Sequence, residues 1–301
     1  MRALCASLRD CVGRDALIFI DQEGGRVRRL RPPHWPDYPS AQELARVYSL
    51  DKTKGLRVCY LHHRLMAHDL RRIGVTADCA PVLDLPVEGA DPIISDRAFG
   101  EETSSITSMA HAAMAGLVSG GVAPVIKHIP GHGRATVDSH KALPRISAHK
   151  MQLKTTDFLP FAALNDAPMA MTAHAVFECA DKRNPVTTSK TALTELIRGD
   201  IGFDGLLMSD DLDMRALHVG SMDGKLTALT KKSLAAGCDI ALQCNGKLPD
   251  MVKVAKGAKK LRGKPAQRAF IAEHCAVREK TLDTKLARAE YEELLSTGLL
   301  S

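Results

Sequence analysis

An α/β fold of the TIM-like (β/α) barrel class is what this sequence predicts, on three observations. Short apolar runs alternate with amphipathic stretches almost throughout, the pattern of parallel strands joined by crossover helices. Polar clusters stand directly after the apolar runs, at Asp21-Gln22-Glu23, Lys127-His128, His174 and Asp210-Asp211. A barrel gathers reactive groups at the C-terminal ends of several strands, whereas an open doubly wound sheet gathers them at one switch point. The 301 residues suffice for one barrel or two ordinary domains.

Taken in order, residues 2–12 predict a helix and Ala16-Leu17-Ile18-Phe19-Ile20 a buried strand. The Pro-rich segment from Arg31 to Pro39 is a surface connection. Residues 51–73 are helical, with Leu61, Leu65, Met66, Leu70 and Ile73 on one stripe. His62, His63 and His68 on that helix read as surface residues. A strand within Val75 to Leu85 ends near Asp84, a residue that reads as structural. Residues 102–118 form a helix stopped by Gly120-Gly121. The strand at 123–127 follows, then a helix around 155–166 and the strand from Pro168 to Thr172. Ser189 caps a helix to about residue 199. The strand from Gly205 to Ser209 ends in Asp210-Asp211, a helix near 225–236 stops at Gly237, and Cys238 to Gln243 is the sixth clear strand. Residues 247–295 are helical and charged.

Net charge is +6, but the basic residues are scattered. The one basic run, Lys256 to Lys264, has no interleaved aromatics and reads as a solvated helix end, so no nucleic-acid partner is expected. Eight cysteines without a Cys-x-x-Cys pair read as thiols of a reducing compartment. The N-terminus has no signal-peptide core and no apolar run approaches spanning length. The expectation is a cytoplasmic monomer with no membrane partner.

The densest polar stretch is Lys127 to His140, with three histidines, a lysine, an arginine, an aspartate and two glycines. Such a cluster at a strand end is poor core material. In an extended segment, residues two apart share a side, so Asp138 can bond one ring nitrogen of His140 and leave the other for a substrate. That arrangement suits a proton shuttle, though local ordering of a loop accounts for the pair equally well. Asp210 ends a strand approached through the tight turn Gly202-Phe203-Asp204-Gly205. A carboxylate directed inward there serves as a nucleophile or a metal ligand, while Asp211 and Asp213 read equally as helix caps. Asp21 with Arg29, and Arg97 separately, are candidate clamps for sugars or carboxylates.

Four motifs together resemble one family. They are Asp21-Gln22-Glu23-Gly24-Gly25-Arg26-Val27, Ala80-Pro81-Val82-Leu83-Asp84, the Lys127-to-His140 loop, and Gly202-Phe203-Asp204-Gly205 through Ser209-Asp210-Asp211-Leu212. From about residue 2 to about residue 245 the chain resembles the bacterial β-N-acetylglucosaminidases of glycoside hydrolase family three, of the peptidoglycan-recycling type. The resemblance implies a barrel and exo-acting, retaining removal of terminal N-acetylglucosamine from muropeptides, N-acetylglucosamine joined to anhydro-N-acetylmuramic acid with or without peptide. It implies Asp210 as nucleophile, His140 as general acid/base and Asp138 as its orienting partner. It places Asp21, Arg29, Arg97, Lys127 and His128 at the positions that hold sugar hydroxyls, and it calls for no metal or other cofactor. Retaining glycosidases ordinarily use two carboxyl groups, so a histidine here replaces one of them.

The family's first strand has no counterpart, so the expectation is a barrel lacking its first strand. Residues 1–245 are expected to form that catalytic barrel and residues 246–301 a helical extension packed on it. Two other readings compete. One is a metal-dependent hydrolase whose shell is drawn from His128, His132, His140, His174 and Asp210. The other is a non-catalytic sugar-binding protein.

Overall fold

The computed structural model describes residues 1–218, 224–275 and 279–299. By internal contacts the chain divides into two compact units. One is Met1–Leu83 with Ser95–Ile126 and Phe270–Ser301, the other Asp84–Ile94 with Lys127–Ala269.

In the first unit, α1 (Arg2–Val12) closes on Gly13, whose φ of 65° is the left-handed conformation that glycine adopts without strain. Strand β1 (Phe19–Ile20) leads into a hairpin of β2 (Gln22–Gly24) and β3 (Val27–Arg28). Helix α2 (Ala41–Leu50) begins with a full capping box. The Ser40 hydroxyl accepts from the Glu43 N–H, and the Glu43 carboxylate accepts from the Ser40 N–H. Such a cap is worth about 1 kcal/mol. Helix α3 (Lys52–Arg72) starts on the Asp51 side chain and packs against α2, α4 (Thr103–Ser119) and α11 (Thr284–Leu299). Contact on several sides makes α3 buried nearly all round, as expected of a helix surrounded by others. His62 and His63 are therefore buried, against the expectation that they lie at the surface, and His68 is half-buried. His62 Nδ1 lies 3.0 Å from the Tyr291 hydroxyl, and His63 Nδ1 donates to the Cys59 carbonyl at 2.9 Å. Strand order here is β1-β4-β5, with β4 (Ala77–Asp78) parallel to both its neighbours. The start of β5 (Ala123–Ile129) belongs to this unit, and the chain passes into the second unit within that strand.

In the second unit the order is β5-β7-β9-β10. Strand β7 (Met169–Thr172) runs parallel to β9 (Leu206–Asp211) with Met169 opposite Leu206. The parallel pair of β9 with β10 (Ile240–Leu242) contains a register shift before Asp211. A short parallel pair, β6 (Arg145–Ile146) with β8 (Val176–Phe177), stands apart from this order. The helix expected around 155–166 is two pieces, α5 (Lys150–Thr155) and α6 (Leu159–Ala163). Pro160 sits at the start of α6, where its missing N–H costs nothing. Ser189 caps α7 (Lys190–Ala192) by accepting from the Ala192 N–H, and a π-helical stretch continues to Asp200. Helix α8 (Leu226–Ala236) ends at Gly237 and packs on α9 (Leu248–Gly257). Helix α10 (Lys264–His274) follows. Residues 276–278, 300 and 301, which fall in the expected helical extension, lie outside the described residues.

The six strands expected from the sequence are thus the six strands of the parallel order. Each is entered through a helix, as in a (β/α) barrel.

Candidate active site

The second unit holds most of the reactive groups. Strand β5 is buried along its whole length and ends in Lys127-His128-Ile129. Buried polar groups require partners, and for the His128 ring that partner is Asp84. The Asp84 carboxylate is fully buried and accepts from His128 Nδ1 at 2.6 Å and from the His132 N–H at 2.6 Å. Burial pushes this carboxyl up, but His128 and His132 outweigh it and hold Asp84 below the usual range. Asp84, expected to be merely structural, fixes both the end of β5 and the turn after it.

The loop that follows needs its glycine. A Cβ on Gly133 would lie 1.8 Å from the Leu85 carbonyl oxygen, so only glycine allows this approach. Arg134 anchors the next turn on buried Asp157 at 2.7 Å. Asp138 then accepts from the His140 N–H at 2.8 Å and from His140 Nδ1 at 2.9 Å. Burial raises the Asp138 carboxyl, but these two bonds and Lys141 prevail and keep it below its ordinary range. A carboxylate only accepts, so Nδ1 of His140 carries a hydrogen and Nε2 lies outside that bond. The His140 side chain is 64% exposed although its heading is fixed.

At the end of β9 the two adjacent carboxylates have different surroundings. Asp211 accepts from the backbone N–H groups of Asp213 and Cys244, each at 3.1 Å, and is occupied in shaping the turn. Burial pushes its carboxyl up. Asp210 accepts the Asp211 N–H at 2.7 Å. Burial raises Asp210 too, but His174, His128, that N–H and Lys127 overcome it, leaving the carboxyl below its ordinary range and ionised at neutral pH. His174 in turn feels the charges of Asp210, His128 and His140. A cavity of about 340 Å³ beside these groups is lined by His140, Asp211, Asp213, Met214, Arg215 and His218.

The remaining candidates lie in the first unit. Arg29 donates to Asp21 at 2.7 Å. Arg97 forms a two-pronged pair with Glu23, both bonds at 2.8 Å, and both side chains are nearly buried. Arg26 pairs with Asp96 at 2.7 Å. Gln22 pins the hairpin by accepting from the Arg29 and Leu30 N–H groups. The structure therefore joins Asp21 to Arg29, and Arg97 to Glu23. It also groups Lys127 and His128 electrostatically with Asp210.

The metal shell imagined from His128, His132, His140, His174 and Asp210 is not assembled. Among the described residues no three His, Cys, Asp or Glu side chains are placed to hold a metal ion. The ring of His128 is turned to Asp84, that of His140 to Asp138, and that of His174 to Thr187 and the Asp211 carbonyl.

Parallel strands alternating with helices, with reactive groups gathered after several of them, are the frame of a TIM-like barrel enzyme. The chain belongs to glycosyl hydrolase family 3, whose N-terminal domain model matches residues 3–272. It is similar to the β-hexosaminidase of Alkalilimnicola ehrlichii, 36% identical over 247 residues that cover 81% of this chain and 69% of that protein. Among solved structures it resembles NagZ from Neisseria gonorrhoeae, with a TM-score of 0.80 and 29% identity over 93% of this chain and 81% of that one. LpqI of M tuberculosis matches with a TM-score of 0.70 and 32% identity, over 87% and 77% of the two chains.

Proposed function

We propose that this chain removes terminal non-reducing β-N-acetylglucosamine from muropeptides, with retention of configuration, in cell-wall recycling. Its class of reaction, β-N-acetylhexosaminide hydrolysis on a small carbohydrate substrate, is that of the β-hexosaminidase relatives. Asp210 attacks the anomeric carbon as His140 gives its Nε2 proton to the departing oxygen. The glycosyl–Asp210 ester is then attacked by water, which returns a proton to His140. Asp138 holds the ring and balances the imidazolium. Asp21, Arg29, Arg97, Lys127 and His128 bind the sugar hydroxyls, and no metal or other cofactor takes part.

One observation carries this reading. The Asp138–His140 bond engages Nδ1 and leaves Nε2 outside it, on a residue that lines a cavity in the unit that also holds an ionised Asp210. Residues 1–245 form the catalytic barrel and residues 246–301 a helical extension. The contacts of α11 with α2 and α3 support packing of that extension on the barrel. The proposed form is a monomer in the cytoplasm; separately, no helix among the described residues is long and apolar enough to cross a membrane. A chromogenic β-N-acetylglucosaminide assay, with mass spectrometry of the product from a GlcNAc–anhydroMurNAc peptide, tests the proposal. Binding without turnover in a well-folded sample would point instead to a sugar-binding protein.

A further inference from the structure

His174 follows β7 and is buried, with both ring nitrogens engaged. Its Nε2 lies 3.0 Å from the Asp211 carbonyl oxygen, and its Nδ1 lies 2.7 Å from the Thr187 hydroxyl. A carbonyl can only accept, so Nε2 carries the hydrogen. Burial favours the neutral ring, although the charge of Asp210 and the Asp211 carbonyl oppose it in part. A neutral ring has one N–H, so Nδ1 is bare and accepts from Thr187. The Thr187 hydroxyl also lies 3.3 Å from the Ala173 carbonyl, but its single hydrogen goes to the shorter contact with the bare Nδ1, so in the 2.8 Å contact with Thr172 it is Thr172 that donates. Thr172 and Thr187 are both buried, beyond the reach of competing water. The result is a directed chain: Thr172 to Thr187, Thr187 to His174, His174 to the Asp211 carbonyl.

This chain ends on the residue whose backbone N–H also serves Asp210. The Asp211 N–H donates to Asp210 Oδ1 at 2.7 Å, while the Asp211 C=O is held by His174. Residue 211 is thus fixed from both sides, at the β9 end where the register with β10 shifts. We infer that His174 is a positioning residue for the hydrolysis, aiming the Asp210 carboxylate through the backbone on both sides of the Asp211 Cα, with Thr187 and Thr172 setting its tautomer. The inference rests on the proposed role of Asp210 as nucleophile. A displacement of the attacking oxygen by about 1 Å can cost a factor of about a hundred in rate.

The experiment compares His174→Phe, His174→Gln, Thr187→Val and the double variant His174→Gln/Thr187→Val. It measures kcat and KM on a chromogenic β-N-acetylglucosaminide, labelling by a fluorinated sugar inactivator, and thermal melting. His174→Phe should lower kcat and the labelling rate by about a hundredfold, with KM changed by less than about threefold. Glutamine keeps a donor for the Asp211 carbonyl and should recover at least about tenfold of that loss. Thr187→Val should cost about tenfold in a histidine background and little in the glutamine background, where no tautomer needs setting. A structural role alone would give additive losses that follow the melting temperature, with no rescue by glutamine. Additive losses, or full kcat in folded His174→Phe, would overturn the inference. Should His174→Phe fail to fold, the Gln and Thr187 pair decides by the same criterion. Wild-type labelling separates the two readings. A label on a residue other than Asp210 removes the nucleophile assignment itself, whereas a label on Asp210 at undiminished rate in the variants removes only the role of His174.

Discussion

Asp84 grips His128 Nδ1 at 2.6 Å, across 44 positions of sequence and with no access to water. The same carboxylate takes the His132 N–H, so one buried charge holds both a side chain and the turn beyond it. Asp84→Asn should therefore lower kcat/KM by about a hundredfold while the protein still folds, since a bond to a buried charge is worth about 1.5–3 kcal/mol. Steady-state kinetics and circular dichroism check this outcome.

The same bond has a pH signature. The folded-state pKa of Asp84 is depressed, so its contribution to stability is present above the ordinary aspartate pKa of about 3.9 and is lost as pH falls through the folded value. Wild type should lose melting temperature more steeply than Asp84→Asn below about pH 4. Parallel melting curves from pH 7 to pH 3 would remove this linkage.

Asp138 and His140 should behave as a unit. Either alanine variant should cost about three orders of magnitude in kcat, and the double variant little more. With an activated aryl leaving group that needs no protonation, glycosylation should suffer less in His140→Ala. Losses that multiply, or that ignore the leaving group while glycosylation limits the rate, would count against general acid catalysis.

The two carboxylates ending β9 should separate. A fluorinated sugar inactivator should label Asp210, and Asp210→Ala should lose nearly all turnover. Asp211→Asn keeps an oxygen able to accept the Asp213 and Cys244 N–H groups, so it should lose less than about tenfold. Peptide mapping that finds the label on Asp211 would reverse the assignment.

Gly133→Ala places a methyl group 1.8 Å from the Leu85 carbonyl oxygen. The loop must move, at a cost of about 1–3 kcal/mol by the usual overpacking range. Activity should fall with it, because the displaced segment carries Asp138 and His140. An unchanged melting temperature and kcat would show that the loop yields freely.

Much of this was legible in the residues, for physical reasons that differ by element. The buried strands announced themselves as apolar runs, and Asp138 found His140 because they lie two apart. Helix α2 was signalled by Ser40-Ala41-Gln42-Glu43, a capping box in plain sequence, yet its position after a Pro-rich link concealed it. His62 and His63 were misread because a helix packed on several sides has no polar face to mark. Asp84 with His128, and His174 with Thr187, could not be read at all. Asp84 meets His128 from 44 positions away, and Thr187 meets His174 because the chain turns back after β7, and nothing local in these residues announces either pairing.

His140 is exposed in area yet fixed in direction, since one carboxylate oxygen of Asp138 holds both its backbone and its ring. In a two-step displacement the aglycone must leave and water must arrive at the same proton-bearing nitrogen. A buried acid would have to open a passage for that exchange twice in every cycle. On the proposed mechanism, that traffic crosses a surface already open to solvent.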